Sequence, residues 1–205
     1  MNRFATIAAA ATMLFAACSQ ADQPSVEEAL KDQPIGNANA PVTLIEYSSL
    51  ACPHCAEFHA KTLPEIKKNY IDTGKVKLII RDFPLGGPAY AAAMMARCTV
   101  PARRPQFIEV LFKNQDSWAK AQDPKSALAR IGKLGGMSQE QFDRCTSDQA
   151  LFEGMQKLQL EAQQKYDVNA TPTFIVTSGK SSDGEKISGS QPYEVFEKAF
   201  AKALQ

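Results

Sequence analysis

The chain has 205 residues, with 23 Lys and Arg against 22 Asp and Glu, a formal net charge of +1. That balance excludes the basic footprint of a nucleic-acid binder and a marked preference for acidic substrates. The length fits one domain, or one domain carrying a large insertion.

In chain order, Met1-Asn2-Arg3 gives a positive start, and Phe4 to Ala17 is an uncharged, Ala-rich run. It is shorter than the roughly 20 apolar residues of a membrane-spanning helix and suits a secretory signal peptide. Leu14-Phe15-Ala16-Ala17-Cys18 resembles a bacterial lipobox, with Phe15 at a place more often filled by Leu. On that reading residues 1–17 are a lipoprotein-type signal peptide and Cys18 is lipidated; the alternative is ordinary cleavage after Ala21. Residues 18–34 are polar, lack an apolar period and read as a tether. The cysteine count agrees. Five is odd for an exported protein. With Cys18 acylated, Cys52, Cys55, Cys98 and Cys145 remain, enough for two disulfides in an oxidising compartment.

Val42-Thr43-Leu44-Ile45-Glu46-Tyr47 reads as a buried strand, and Cys52 to about Ile71 as a helix. Pro53 sits in its first turn, where proline is best tolerated; Pro64 should kink it. Lys75 to Arg81 reads as a second strand. Residues 86–166 change character, being rich in Ala, Lys, Gln and Leu. Breaks divide them into helices at about 88–99, 105–114, 124–134, 138–146 and 148–166, with Ser138 and Gln141 spaced for a capping box. Phe107, Phe112, Trp118, Phe142 and Phe152, with Met94, Met95 and Met155, form the core of this block or line a substrate surface. Thr173 to Thr177 is a strand, residues 178–184 a turn, Glu185 to Ser188 an antiparallel partner, and Gln191 to Leu204 a closing amphipathic helix.

Ser49-Leu50-Ala51-Cys52-Pro53-His54-Cys55 carries the chemistry. A thiol at a helix N-terminus meets free backbone N–H groups and the positive end of the helix dipole, which favour a thiolate. Cys55, one turn on, is close enough to close a disulfide, so the pair can cycle between dithiol and disulfide. Cys52 reads as the nucleophile and the more exposed of the two, and Cys55 as the buried resolving thiol. His54, between them, can donate to the Cys52 thiolate or add positive charge; His59 reads as an ordinary helix residue. A zinc site is excluded because Cys52, Cys55, His54 and His59 share one short helical segment and cannot surround a metal tetrahedrally. The residues call for no metal and no cofactor. Glu46 is a carboxylate in an apolar strand, costly to bury without a partner or a task; the alternative is a surface glutamate at a sheet edge.

A strand, then Cys-Pro-His-Cys on a helix, a helical block, and a β-β-α tail opening with Thr171-Pro172-Thr173 resembles the bacterial DsbA-like thiol:disulfide oxidoreductases. Ile35 to Thr43 and Arg81-Asp82-Phe83-Pro84-Leu85 resemble further motifs of that family. The resemblance implies an α/β thioredoxin fold, split as 35–85 and 167–205, with an all-helical subdomain inserted at 86–166. It implies that the Thr171–Pro172 bond is cis, beside the cysteines, leaving Thr171 to hydrogen-bond an extended substrate. It places Glu46 beneath the active site, where it accepts or relays the Cys55 proton, and pairs Cys98 with Cys145 in a structural disulfide. It implies a periplasmic monomer, touching the membrane only through a lipid anchor, that oxidises unfolded or reduced exported proteins and is reoxidised by a DsbB-like membrane partner.

Two other readings stand beside it. A disulfide isomerase or reductase on the same fold is favoured by Thr171, where strong oxidases more often resemble Val. The short segment before residue 35 argues against an N-terminal oligomerisation region of the isomerase kind. A non-catalytic holdase or a copper-binding module is the other: a dithiol binds soft Cu(I), but no Met or His cluster surrounds the motif.

Overall fold

The computed structural model describes residues 23–178 and 184–205. Cys18, the leader and most of the turn read at 178–184 lie outside the described residues. Five strands form one sheet in the order β1-β3-β2-β4-β5. They are β1 (Pro34–Ile35), β2 (Val42–Ser48), β3 (Val76–Asp82), β4 (Thr173–Ser178) and β5 (Glu185–Ser188). β2 and β3 are parallel; the other pairings are antiparallel.

β2 is central and covered on both faces, which is why its sequence runs apolar rather than alternating. Strand alternation still decides which face each side chain meets. Val42 and Leu44 pack with Phe58, Ile66, Leu78, Phe174, Phe196 and Phe200, against α2 (Pro53–Lys61), α3 (Leu63–Ile66) and α10 (Tyr193–Ala203). Ile45 and Tyr47 point the other way, toward Phe83, Ala162, Val168 and Ile175. Glu46 shares the face of Val42 and Leu44.

The helical block comprises α4 (Gly87–Arg97), α5 (Arg104–Lys113), α6 (Gln115–Ala119), α7 (Pro124–Leu134), α8 (Gln139–Thr146) and α9 (Gln149–Tyr166). Its core contains Met94, Met95, Phe107, Phe112, Trp118, Phe142 and Met155, with Phe152 packed at its margin. The Ser138–Gln141 capping box opens α8. α6 is an addition: Asn114 ends α5, and Trp118, buried and donating from its indole to the Leu111 carbonyl, anchors a separate short helix.

Three local readings need correction. The helix read from Cys52 to Ile71 is three pieces, because Pro64 has no N–H to bond backwards; α2 stops at Lys61, α3 follows, and Lys67–Ile71 is a π-turn. Pro34–Ile35 is an edge strand on β3. The tether does not hold for its described part. Ser25 caps α1 (Val26–Leu30), Ala29 is buried, and Val26 and Leu30 pack on the helical core. Two apolar residues and an alanine in one turn are too few to show a period, and arginines supply the rest of the attachment. Arg97 donates to the Ala29 carbonyl, Arg104 to that of Lys31, and Arg81 takes the Asp32 carboxylate with two nitrogens.

Candidate active site

β2 ends at Ser48, and the turn to α2 is closed by Cys52 N–H donating to the Ser49 carbonyl at 2.9 Å. Cys52 is the N-cap residue of α2, with extended backbone and Pro53 behind it in the first helical position. Its carbonyl receives the N–H groups of Cys55 and Ala56. The sulfur thus sits at the helix N-terminus, and Cys55 lies one turn inward, fully buried. Both are unbonded thiols.

The loop before β4 completes the site. The Thr171–Pro172 bond is cis, and the Cys52 thiol donates to the Thr171 carbonyl at 3.3 Å. The two thiols are driven apart in acidity. The Cys55 thiol donates to the Cys52 sulfur, the Thr171 hydroxyl and the N–H groups of Cys55 and His54 add to that, and together they outweigh burial. The Cys52 pKa falls to about 5. Cys55 moves the other way, far above the ordinary thiol range, because burial, its bond to Cys52 and the Glu46 carboxylate all disfavour a second anion. A low-pKa thiol beside a high-pKa one is the arrangement that makes one sulfur the point of attack and of departure, and the other its internal partner.

The predicted site residues do not all meet at the sulfur. Cys52, Cys55, Pro53, Thr171 and Pro172 do. His54 supplies only its N–H: its imidazole is 73% exposed and lies 3.6 Å from Glu57. Glu46 is buried on the α2 side of β2, with no edge exposure. Cys98 and Cys145 form a disulfide within the helical block, joining the end of α4 to α8.

Two residues that the sequence reading passed over belong to the site. His59 is not an ordinary helix residue: its side chain is 5% exposed, and Nε2 lies 3.0 and 3.2 Å from the two Glu46 oxygens. The signal was present, since His59 is four residues after Cys55 and so on the same helix face. Gln115 of α6 is buried and donates from one amide nitrogen to the Leu50 carbonyl at 2.7 Å and the Cys52 carbonyl at 3.0 Å. Nothing in the sequence marks it, because the contact exists only once the inserted block folds back onto the loop. Among the described residues no group of three or more His, Cys, Asp or Glu is placed to hold a metal.

Residues 28–202 match the family model described as Thioredoxin. A putative protein-disulfide oxidoreductase of Rickettsia felis is 33% identical over 175 residues, 85% of this chain and 60% of that protein. A second, from Rickettsia bellii, is 34% identical over 60% of this chain and 48% of its own length. The chain therefore spans about half to three-fifths of these rickettsial relatives. Disulfide bond formation protein D of Bacillus subtilis is 28% identical, covering 76% of this chain and 72% of that protein. The crystal structure of Wolbachia pipientis alpha-DsbA1 superposes with a TM-score of 0.77 at 32% identity, over 85% of this chain and 91% of that one.

Proposed function

The chain belongs to the DsbA-like thiol:disulfide oxidoreductases of the thioredoxin fold, and from that premise we propose that it donates disulfides to cysteine-containing exported proteins. The observation that carries this reading is the Cys52 sulfur, at a helix N-terminus and 3.3 Å from the Thr171 carbonyl of a cis-proline loop. A substrate thiolate attacks the Cys52 sulfur of the Cys52–Cys55 disulfide. The bond pair leaves with Cys55, which gains a proton, and a mixed disulfide joins Cys52 to the substrate. A second substrate thiolate attacks its own half of that bond and expels Cys52. A thiol that ionises near pH 5 leaves readily at neutral pH. Glu46, behind Cys55, accepts and returns the Cys55 proton. Thr171 offers its backbone to an extended substrate chain beside the sulfur.

In this reading the leader exports the protein to a bacterial periplasm, Cys18 carries a lipid anchor, and the protein acts as a monomer. The dithiol is reoxidised by a membrane partner of the DsbB kind, and Cys98–Cys145 is structural. The test is the equilibrium potential of Cys52–Cys55 against glutathione. A value above roughly −150 mV supports donation of disulfides. A value below roughly −200 mV supports the isomerase or reductase reading, which Thr171 before the cis-proline favours. Cys52→Ser abolishes exchange and cellular function in either case; cellular function that persists in this variant, with exchange lost, would point to a non-catalytic binding module.

A further inference from the structure

Glu46 sits in the middle of β2 with no side-chain exposure. Its neighbours across the sheet are apolar, Ile80 on β3 and Phe174 on β4. A carboxylate there needs a hydrogen-bond donor, and among the described residues that donor is His59. The ring is fixed from its other sides. Phe112 of α5 lies against it with ring centroids 4.2 Å apart, and Phe58 meets it edge-on. Nδ1 is buried and has no hydrogen-bond partner among the described residues.

That asymmetry selects a tautomer. A proton on Nε2 is donated to the carboxylate, whereas a proton on Nδ1 would be buried without an acceptor. The titratable groups facing the ring are Glu46 from β2 and Cys55 one turn back on α2. α5 presents Phe112 to the ring, and β4 and β3 place Phe174 and Ile80 beside the carboxylate. Glu57 and Lys61, on the outer side of α2, pair with one another.

We propose that His59 is a positioning residue for exchange at Cys52–Cys55, a neutral Nε2–H imidazole that orients Glu46 toward Cys55 and stabilises its carboxylate. The proposal rests on the thiol-exchange reading given above. When a mixed disulfide at Cys52 resolves internally, the Cys55 S–H passes its proton to the Glu46 carboxylate. The Cys55 sulfur bonds to Cys52, and the external sulfur leaves with the bond pair as a thiolate, protonated by water. In the reverse step an external thiolate attacks Cys52, and Cys55 takes the bond pair and the Glu46 proton. His59 keeps its own proton throughout.

The test is the rate at which the full-length protein, carrying glutathione on Cys52, expels it through Cys55, measured across pH 5 to 9. A hydrogen bond to a charged group contributes about 1.5–3 kcal/mol, a factor of about 10–100 in the ionisation of the carboxyl. In His59→Leu the pH of half-maximal rate therefore moves up by about 1–2 units. In His59→Gln, which keeps an N–H donor, it stays within about half a unit of the parent. An unchanged profile in His59→Leu overturns the proposal, as does an equal shift in both variants. The unsubstituted protein gives a check independent of folding. The His59 ring nitrogens, read by ¹⁵N NMR at pH 7, should report the Nε2–H tautomer in both dithiol and disulfide forms, and a ring protonated on Nδ1 in either overturns it. If the cysteine pair fails to exchange with glutathione at all, the thiol-exchange reading falls; if exchange is normal and the His59→Leu profile does not move, only the role of His59 falls.

Discussion

At the residue scale the chemistry reduces to one sulfur whose proton is held loosely. The Cys52 thiol loses its proton at about 5 in the folded dithiol protein, against an ordinary thiol value near 9. The unfolded chain binds this proton up to the ordinary value, so between the two values it binds more protons than the folded chain. Stability of the dithiol form therefore rises with pH across that window. The contribution is complete above the ordinary thiol value and is lost as pH falls through about 5. Thermal unfolding of the dithiol protein beside Cys52→Ala should show this: the difference in Tm grows in favour of the parent from pH 5 to pH 8. Parallel curves would mean that the thiolate is not stabilised. Alkylation by iodoacetamide should likewise be flat from pH 6 to 8, because the thiolate is already formed. The cysteine pair was legible in the sequence because spacing on a helix fixes its geometry locally. The His54 imidazole was misjudged for a local reason too. A side chain next to the N-cap can turn outward, and Glu57, one turn on, gives it a partner there.

At the scale of elements, the inserted helices do more than cover the sheet. Gln115 reaches from α6 to the two carbonyls that shape the turn at Cys52. Gln115→Ala leaves the buried Leu50 carbonyl without this donor and should cost about 1–3 kcal/mol in urea unfolding. Gln115→Glu replaces a donor with an anion near the Cys52 sulfur, and its Cys52 pKa, followed by thiolate absorbance, should rise. A Cys52 pKa unchanged in Gln115→Glu would show that α6 does not act on the sulfur. The Cys98–Cys145 bond works within the insert. It closes a sequence separation of 47 residues, worth about 4 kcal/mol in the chain-entropy account, and a Cys98→Ser/Cys145→Ser variant should lose stability on that order. The bond should also resist reduction. Cys98 borders a surface cavity of about 340 Å³ lined by Phe107, Val110 and Met137, so an external thiol can approach it. Attack there would expel the Cys145 sulfur as a thiolate that is 1% exposed. Mild dithiothreitol should open Cys52–Cys55 first and leave Cys98–Cys145 closed until the protein unfolds; simultaneous reduction of both would refute this.

At the scale of the whole molecule, sequence patterning conveyed the layers and missed the attachments. β2, β3, β4 and the long helices were legible because each carries a continuous apolar run or an apolar period of its own. α1, α6 and β1 were not, since elements of two to five residues carry too few turns for a period, and their positions are set by partners far along the chain. The clearest case is the N-terminal segment, held by arginines that lie some 50 to 75 residues later. These attachments are unequal. Arg97 is buried, bonded to both the Ala29 carbonyl and the Asp82 carboxylate, and the Asp82 side chain is only 12% exposed. Arg104 beside it is buried as well, and burial together with the Arg97 charge pulls its pKa down to about 10. Arg81 and Asp32 each remain about one-third exposed. Removing one partner of a buried pair strands the other charge, whereas an exposed pair contributes little. Arg97→Ala should therefore cost about 3 kcal/mol in urea unfolding, with Arg81→Ala below about 1 kcal/mol. Asp82→Asn added to Arg97→Ala should recover a good part of the loss, because the stranded carboxylate is then gone. Amide exchange in Val26–Leu30 should rise sharply in Arg97→Ala and little in Arg81→Ala. Equal losses in the two single variants, or no recovery in the double one, would mean that α1 is held by its apolar contacts with the helical core and not by the buried arginine.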